Sequence, residues 1–215
     1  ALCQSTSIII GVDSSHLFPF VFFSTLFAYN FQRMVRFSPN KEQSAHLDWL
    51  NKNRLFIIII TVISLFLSVY YAVSLSFSTF YFLIPASIIS LSYPIKIIPL
   101  GGQKISLREL PRAKIFLIAL VWSIVSVTLV TLENESFYSN DTLLLFISRF
   151  SFVLAITIPF DIRDLKYDDL SLKTIPQIFG VQKAKMIALY CLAFFELISI
   201  FHFFVGDFSW QILLA

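Results

Sequence analysis

Cysteine, histidine and charged residues are all scarce in this chain. Its 215 residues include two cysteines, Cys3 and Cys191, and three histidines, and only 13% are charged. Two cysteines are too few for a disulfide framework, and neither residue type has the spacing of metal ligands. So few charges cannot cover a polar surface, which excludes an ordinary soluble globular protein.

Hydrophobic residues make up 57% of the chain, and 17% are aromatic. Apolar runs able to cross ~30 Å of hydrocarbon as a helix cover approximately residues 17–35, 55–74, 75–95, 114–132, 142–160 and 187–206. Apolar stretches also stand at both ends of the chain. The sequence therefore predicts an all-α polytopic membrane protein with about seven spans, forming one transmembrane domain over 1–215 that is truncated at both ends.

The basic residues predict the orientation. Every one except Arg149 lies in one of three connections, at 33–54, 96–114 and 161–186, and the alternate connections carry none. By the positive-inside rule, these three connections face the cytoplasm. We expect an integral protein of the plasma membrane, with a bacterial inner membrane as its location. The net charge of +3 needs no nucleic-acid partner, because this bias accounts for it.

Four of the 13 acidic residues fall within nine positions, directly after an apolar run. On a helix at ~100° per residue, Asp161, Asp164 and Asp168 share one face, and Arg163 and Lys166 point roughly the other way. The sequence therefore predicts that the acids are not neutralised by their own salt bridges and that a divalent cation, Mg²⁺ above all, binds there. A solvated acidic turn at the end of a membrane helix is the alternative interpretation.

A lysine turn follows the acids. Lys173 comes four residues after Asp169, Pro176 is expected to end any helix, and Gly180 permits a tight start to the next span. Carboxylates that bind a metal, followed by an amine that binds phosphate, are typical of a Mg²⁺-diphosphate site.

The same residues resemble a known family. The stretch Ile158-Pro159-Phe160-Asp161-Ile162-Arg163-Asp164, with Asp168, Lys173-Thr174-Ile175-Pro176 and Phe179-Gly180, is similar to the second aspartate-rich motif of the UbiA superfamily of intramembrane prenyltransferases. Ser92-Tyr93-Pro94, Leu110-Pro111, Lys114 and Trp122 resemble the family's middle section.

This resemblance implies a helical bundle around a cavity open to lipid. It also implies transfer of an isoprenoid group from a prenyl diphosphate to an aromatic or other lipophilic acceptor, with Mg²⁺ as cofactor. Carried over to this sequence, Mg²⁺ would be held by Asp161, Asp164 and Asp168 as the catalytic residues. The residues that would bind or orient the diphosphate are Asn30, Arg33, Tyr93, Lys114 and Lys173.

The family's first aspartate motif is degenerate here. Asn30 fits its opening position, but Met34 and Ser38 stand where carboxylates are usual, and Arg33 and Arg36 add positive charge. Either the arginines replace one metal by binding diphosphate directly, or the donor is no longer ionised. In the second case the protein is a non-catalytic prenyl-lipid-binding or accessory membrane protein. A transporter with a cation gate in 161–169 is a third alternative.

Arg149 is the one basic residue inside an apolar run. An intramembrane charge is a candidate functional residue, but Arg149 is also close enough to the end of its span to snorkel or to pair with Glu133 or Asp141. We expect a structural role. Glu196, in the last span, raises the same question, and the sequence does not decide whether it pairs with Arg149.

Overall fold

The structure, a computed structural model, describes residues 1–35, 52–100, 102–134 and 140–205. In these ranges the chain is mostly helical, as the sequence predicts. The α-helices are α1 (Leu2–Ile10), α2 (Leu17–Val35), α3 (Arg54–Ala72), α4 (Phe77–Ser92), α5 (Lys114–Ser123), α6 (Leu129–Glu133), α7 (Asn140–Asp164) and α8 (Ile175–Val205). A π-helical segment, Ile124–Thr128, joins α5 to α6, so these two helices follow each other without a loop.

Four helical segments are long and apolar enough to cross a membrane. They are Arg54–Ala72, Lys114–Glu133, Asp141–Asp164 and Ile175–Phe204. Helix α4 is apolar as well, but with 16 residues it is shorter. Many large apolar side chains on these helices are exposed, which is typical of a surface that faces lipid. The fold therefore indicates a membrane protein, and the count of about seven spans stays a prediction.

A short β-hairpin interrupts the helices in the basic connection after α4, and the sequence analysis did not predict it. Strand β1 (Lys96–Leu100) pairs antiparallel with β2 (Gln103–Ser106). Gly102, with φ of 81°, lies in the turn between them, where a residue without Cβ adopts positive φ at little cost. The hairpin leads into a 3₁₀ turn, Leu107–Glu109, and then into α5.

Helix α8 begins differently from the sequence prediction. Pro176 lies in the first turn of α8 instead of ending a helix, because the first backbone N–H groups of a helix need no intrahelical acceptor. Gly180 then adopts a non-helical conformation (φ 80°, ψ 162°). It separates a short initial turn from the long apolar part of α8, in agreement with the predicted tight start of that span.

Helices α5, α7 and α8 share the core that supports the acidic cluster. The buried apolar side chains of this core are Ile115, Ala119, Val153, Leu154, Ile158 and Ala184. Ile115 follows Lys114 directly, and Ile158 precedes Asp161 by three residues. Because these two apolar residues belong to one core, the beginning of α5 lies beside the end of α7.

Glu133, the last residue of α6, forms a second polar cluster. Its carboxylate accepts hydrogen bonds from the Ser76 backbone N–H (3.0 Å) and the Thr79 hydroxyl (2.6 Å), and it lies 3.2 Å from Nε2 of His16. Only 5% of the Glu133 side chain is exposed. Since Ser76 caps α4, the carboxylate also lies at the positive end of that helix dipole. Glu133 thus connects α6 with the start of α4 and with the segment before α2.

Glu133→Gln should therefore destabilise the fold. The amide NH₂ would face donors where a carboxylate oxygen now accepts, so we expect a loss of about 2 kcal/mol, seen as a fall in Tm of about 4–8 °C in detergent. Asp13→Asn is the matched control, because Asp13 is exposed and bonds only locally to Ser15. Equal Tm values for the two variants would contradict a structural role for Glu133.

Candidate functional site

The candidate site lies where α5 begins and α7 ends. The Lys114 ammonium donates to Asp161 Oδ1 at 2.7 Å and to Asp168 Oδ2 at 3.0 Å. All three side chains are largely buried, with 14% of Lys114, 3% of Asp161 and 9% of Asp168 exposed. The structure thus brings together three of the residues that the sequence singled out, and one ammonium is shared by two carboxylates.

The helix dipoles help to explain this pairing. Asp161 lies in the last turn of α7, where a negative charge is unfavourable, and Lys114 is the first residue of α5, where a positive charge is unfavourable. Because the two ends are adjacent, each side chain supplies the charge that the other helix end favours. Together, Lys114, Asp161 and Asp168 carry a net charge of −1 when all are ionised.

Asp168 lies outside helix α7 and contacts Lys114 from the turn that follows it. The prediction that the three aspartates share one helical face is therefore wrong. Helix α7 ends at Asp164, so Asp161, Asp164 and Asp168 do not share one helical face. The chain instead turns back, with the Tyr167 and Asp168 N–H groups donating to the Asp164 carbonyl at 2.8 and 2.9 Å. The carboxylates of Asp161 and Asp168 converge because of this turn and not because of helical periodicity.

Asp164 has a different partner. The Arg163 guanidinium donates to its two oxygens at 2.8 and 3.2 Å and also lies over the Phe160 ring, 5.2 Å from the centroid. The prediction that Arg163 would point away from the acids is wrong. Arginine is long enough to reach back from an adjacent position where the helix ends, and its planar fork matches a carboxylate. One third of the Asp164 side chain is exposed, so this pair is at the surface of the site.

Gln177 holds the segment that carries Asp168, and the sequence analysis did not identify it. Its side-chain oxygen accepts from the Thr174 N–H at 2.9 Å, and its amide donates to the carbonyls of Asp168 (3.3 Å) and Asp169 (3.1 Å). A sequence signal existed, since Thr174 followed three residues later by Gln177 matches a helix capping box. The Thr174 hydroxyl, however, is buried and makes no hydrogen bond within the described residues.

The rest of the turn is fixed by local bonds. The Asp169 carboxylate accepts from the Ser171 N–H at 2.8 Å and caps a 3₁₀ turn, Leu170–Leu172. This hydrogen bond holds the pKa of Asp169 below its usual value. The Leu172 carbonyl accepts from the Arg112 N–H at 2.9 Å, which connects the turn to the segment before Lys114.

The remaining predicted residues lie on other elements. Asn30 is buried in α2, and its amide donates to the Leu26 carbonyl of the same helix at 2.9 Å. Arg33 lies in the last turn of α2. Tyr93 follows α4, and its carbonyl accepts from the Arg108 N–H at 3.1 Å. Lys173 is exposed, with a left-handed backbone (φ 48°).

Two residues of the degenerate first motif, Arg36 and Ser38, lie outside the described residues. The predicted contribution of Arg36 to diphosphate binding therefore stays a prediction. The cytoplasmic orientation of the three basic connections also stays a prediction.

The donor set fits a metal only in part. Within the described ranges, no group of three or more His, Cys, Asp or Glu side chains is arranged to hold a metal ion. Mg²⁺ nevertheless often uses one or two carboxylates and takes its other ligands from substrate phosphate and water. Asp161 and Asp168 fit that second type of site, in which a phosphate-bearing ligand would bring part of the coordination shell.

Comparison of the chain with protein-family models, with characterised proteins and with solved structures finds no significant match. The resemblance to the UbiA superfamily therefore depends on the quoted motif residues.

Removing the shared ammonium should strongly destabilise the fold. Lys114→Met would leave two buried carboxylates side by side, so we expect a loss of about 3–5 kcal/mol, measured by unfolding in detergent. Adding Asp161→Asn to Lys114→Met should recover part of this loss, because one of the two charges is then gone.

Lys96→Met is the matched control for Lys114→Met. Lys96 pairs with Glu109 at 3.8 Å, and both side chains are well exposed, at 66% and 40%. An exposed pair of this kind contributes about 0–1 kcal/mol. If the two lysine variants were equally stable, the buried pair would not be the element that holds the site.

Proposed function

We infer that the protein is a Mg²⁺-dependent intramembrane prenyltransferase, which moves an isoprenoid group from a prenyl diphosphate to an aromatic or other lipophilic acceptor. The observation that carries this proposal is the convergence of Asp161 and Asp168 on Lys114 at the end of apolar helices. A prenyl diphosphate has an apolar tail and an anionic head. Its tail would lie along the helices, and its head would lie at this charged end.

The charge balance supports a ligand that brings both metal and anion. Two carboxylates facing one ammonium leave an excess negative charge, which attracts a divalent cation. When bound, Mg²⁺ would be held by Asp161 and Asp168 and would neutralise charge on the diphosphate. Lys114 would then turn its ammonium from the carboxylates to a phosphate oxygen. Lys173, exposed on the same turn, would supply a second ammonium.

The residues act by stabilising the leaving group. The bond between the allylic carbon and the diphosphate oxygen breaks, and the electron pair stays on the diphosphate. Ammonium groups placed where this charge develops lower the barrier. The acceptor then forms a bond to the allylic carbon and loses a proton. In this proposal Asn30, Arg33 and Tyr93 complete the substrate site, and Asp164 is a further Mg²⁺ ligand, as the family resemblance implies.

The second candidate is a non-catalytic protein that binds a prenyl lipid. It is favoured by the pairing of Asp161 and Asp168 with Lys114 within the fold, since an ammonium can replace a metal as a structural counter-charge. In either case, the proposed location is the plasma membrane, in a bacterium the inner membrane, and the distribution of basic residues supports a site on the cytoplasmic side.

The test is binding of a non-hydrolysable prenyl diphosphate analogue to the detergent-solubilised full chain, with Mg²⁺ and with EDTA. We expect EDTA to weaken binding by at least about tenfold, which corresponds to about 1.4 kcal/mol. Asp168→Asn should have a similar effect because it removes a metal ligand. Asp169→Asn is the matched control, since the neighbouring carboxylate bonds to Ser171 instead.

A second measurement separates the two candidates. Release of inorganic diphosphate from a hydrolysable prenyl diphosphate, in the presence of membrane lipid extract, is expected of the transferase. Mg²⁺-dependent binding without release would support the non-catalytic alternative. No binding in either condition would contradict both.

A further inference from the structure

Arg149 is a buried cation on α7, far from the candidate site. Twelve residues, or about 18 Å of helix, separate it from Asp161. Only 4% of Arg149 is exposed. Its guanidinium donates to two hydroxyls of α1, Ser5 Oγ at 2.7 Å and Thr6 Oγ1 at 3.3 Å. The structure thus resolves one question from the sequence, because Arg149 contacts α1 and does not snorkel to the surface.

The partners of Arg149 are neutral. In residues 1–35, 52–100, 102–134 and 140–205, no carboxylate lies within ion-pair distance of its guanidinium. Glu133 bonds to Ser76 and Thr79, and Glu196 is exposed on α8. A buried charge without a counter-charge is costly, and arginine does not lose its proton as lysine does. The surroundings of the guanidinium therefore favour the binding of an anion.

A cavity adjoins this guanidinium. It lies between α1, α7 and α8 and is lined by Ile9, Leu145, Ser148, Arg149, Phe195, Ser199 and His202. Its volume is about 10 Å³, which is close to the minimum for one water molecule. The cavity therefore has room for a particle the size of one water or one small ion.

The polar lining of the cavity consists of groups that can donate hydrogen bonds. Besides Arg149, the lining includes the hydroxyls of Ser148 and Ser199 and the ring of His202, and all three residues are buried. The Ser199 hydroxyl donates to the Phe195 carbonyl of its own helix at 3.0 Å, so the Ser148 hydroxyl is the one that the cavity uses as a donor beside Arg149. Among the residues that the structure describes, no acidic side chain lines the cavity. Asp141 lies 3.9 Å from Nε2 of His202 and is half exposed, so it lies beside the histidine and at the edge of the bundle.

We propose that this cavity is a binding site for a small inorganic anion of the halide class, with chloride as the physiological representative. Arg149 supplies the charge, the Ser148 hydroxyl supplies a donor, and Ser199 lines the opposite wall on α8. The anion compensates the buried guanidinium and connects α1 to α7 and α8. This site is independent of the proposed prenyl transfer, because its residues lie at a different level of the bundle.

The first test is thermal unfolding of the full chain in detergent, in chloride, bromide or gluconate at equal ionic strength. We expect chloride and bromide to raise Tm by about 4 °C or more over gluconate at saturating concentration. Gluconate is too large for the cavity. Phosphate is also too large, and a phosphate effect as strong as that of chloride would overturn the size-limited site.

Arg149→Met is the decisive variant, because it removes the charge and keeps most of the side-chain volume. Its Tm should no longer depend on the halide. Lys185→Gln is the control, since Lys185 is an exposed cation on α8 and its loss should leave the halide effect intact. A halide effect of equal size in wild type and Arg149→Met would overturn the proposal, as would its absence from wild type.

A structural readout keeps the proposal testable even if Arg149→Met does not fold. Bromide-soaked crystals of the wild-type protein should show an anomalous peak beside Arg149, between Ser148 and Ser199. If Glu196 instead turned inward to pair with Arg149, the peak would be missing and Glu196→Gln would lower Tm in every salt. That result would overturn the anion site.

Discussion

The shared ammonium of Lys114 is the interaction on which the geometry of the site depends. It contacts two aspartates on different elements, since Asp161 belongs to α7 and Asp168 to the turn after it. Apolar helices surround the cluster, so its charges are screened less than they would be in water. Loss of the ammonium would leave the turn held by its hydrogen bonds to Gln177, Arg112 and the Asp164 carbonyl, and none of these fixes the Asp168 carboxylate.

The same interaction explains how the site can be stable and can also bind a charged ligand. Two carboxylates bound to one ammonium are satisfied in the absence of ligand, yet they retain an excess negative charge. In the proposed function, a diphosphate with its metal would offer each group a stronger partner, because the metal is divalent and the phosphate oxygens are anionic. Binding would then require exchange of partners and not assembly of a new cluster.

Lys114 and Arg149 show two ways of burying a cation in an apolar bundle. Lys114 is neutralised by carboxylates of its own chain, whereas the described partners of Arg149 are hydroxyls. A third buried charge, Glu133, is stabilised by four donor groups and a helix end. The three sites connect different helices, and a cavity adjoins the Arg149 site. Charge is scarce in this sequence, so each buried ionisable group organises the packing around it.

The sequence by itself determined the class of the protein and the composition of its candidate site. A long apolar run indicates a helix that is surrounded by lipid and not by water. For this reason the membrane character and the main helices could be predicted. The grouping of Asp161, Asp164 and Asp168, with Lys114 as a partner of the same site, was also visible. The capping signal formed by Thr174 and Gln177 is also present in the sequence.

Only the tertiary structure decided which charges meet. The end of α7 at Asp164, the pairing of Arg163 with Asp164, and the β-hairpin before α5 all differ from the sequence-based expectations or were missing from them. Lys114 and Asp161 are 47 positions apart, and Ser5 and Arg149 are 144 apart. Such contacts depend on how helices pack, and helical periodicity specifies a face within one helix but not the neighbour that this face will meet.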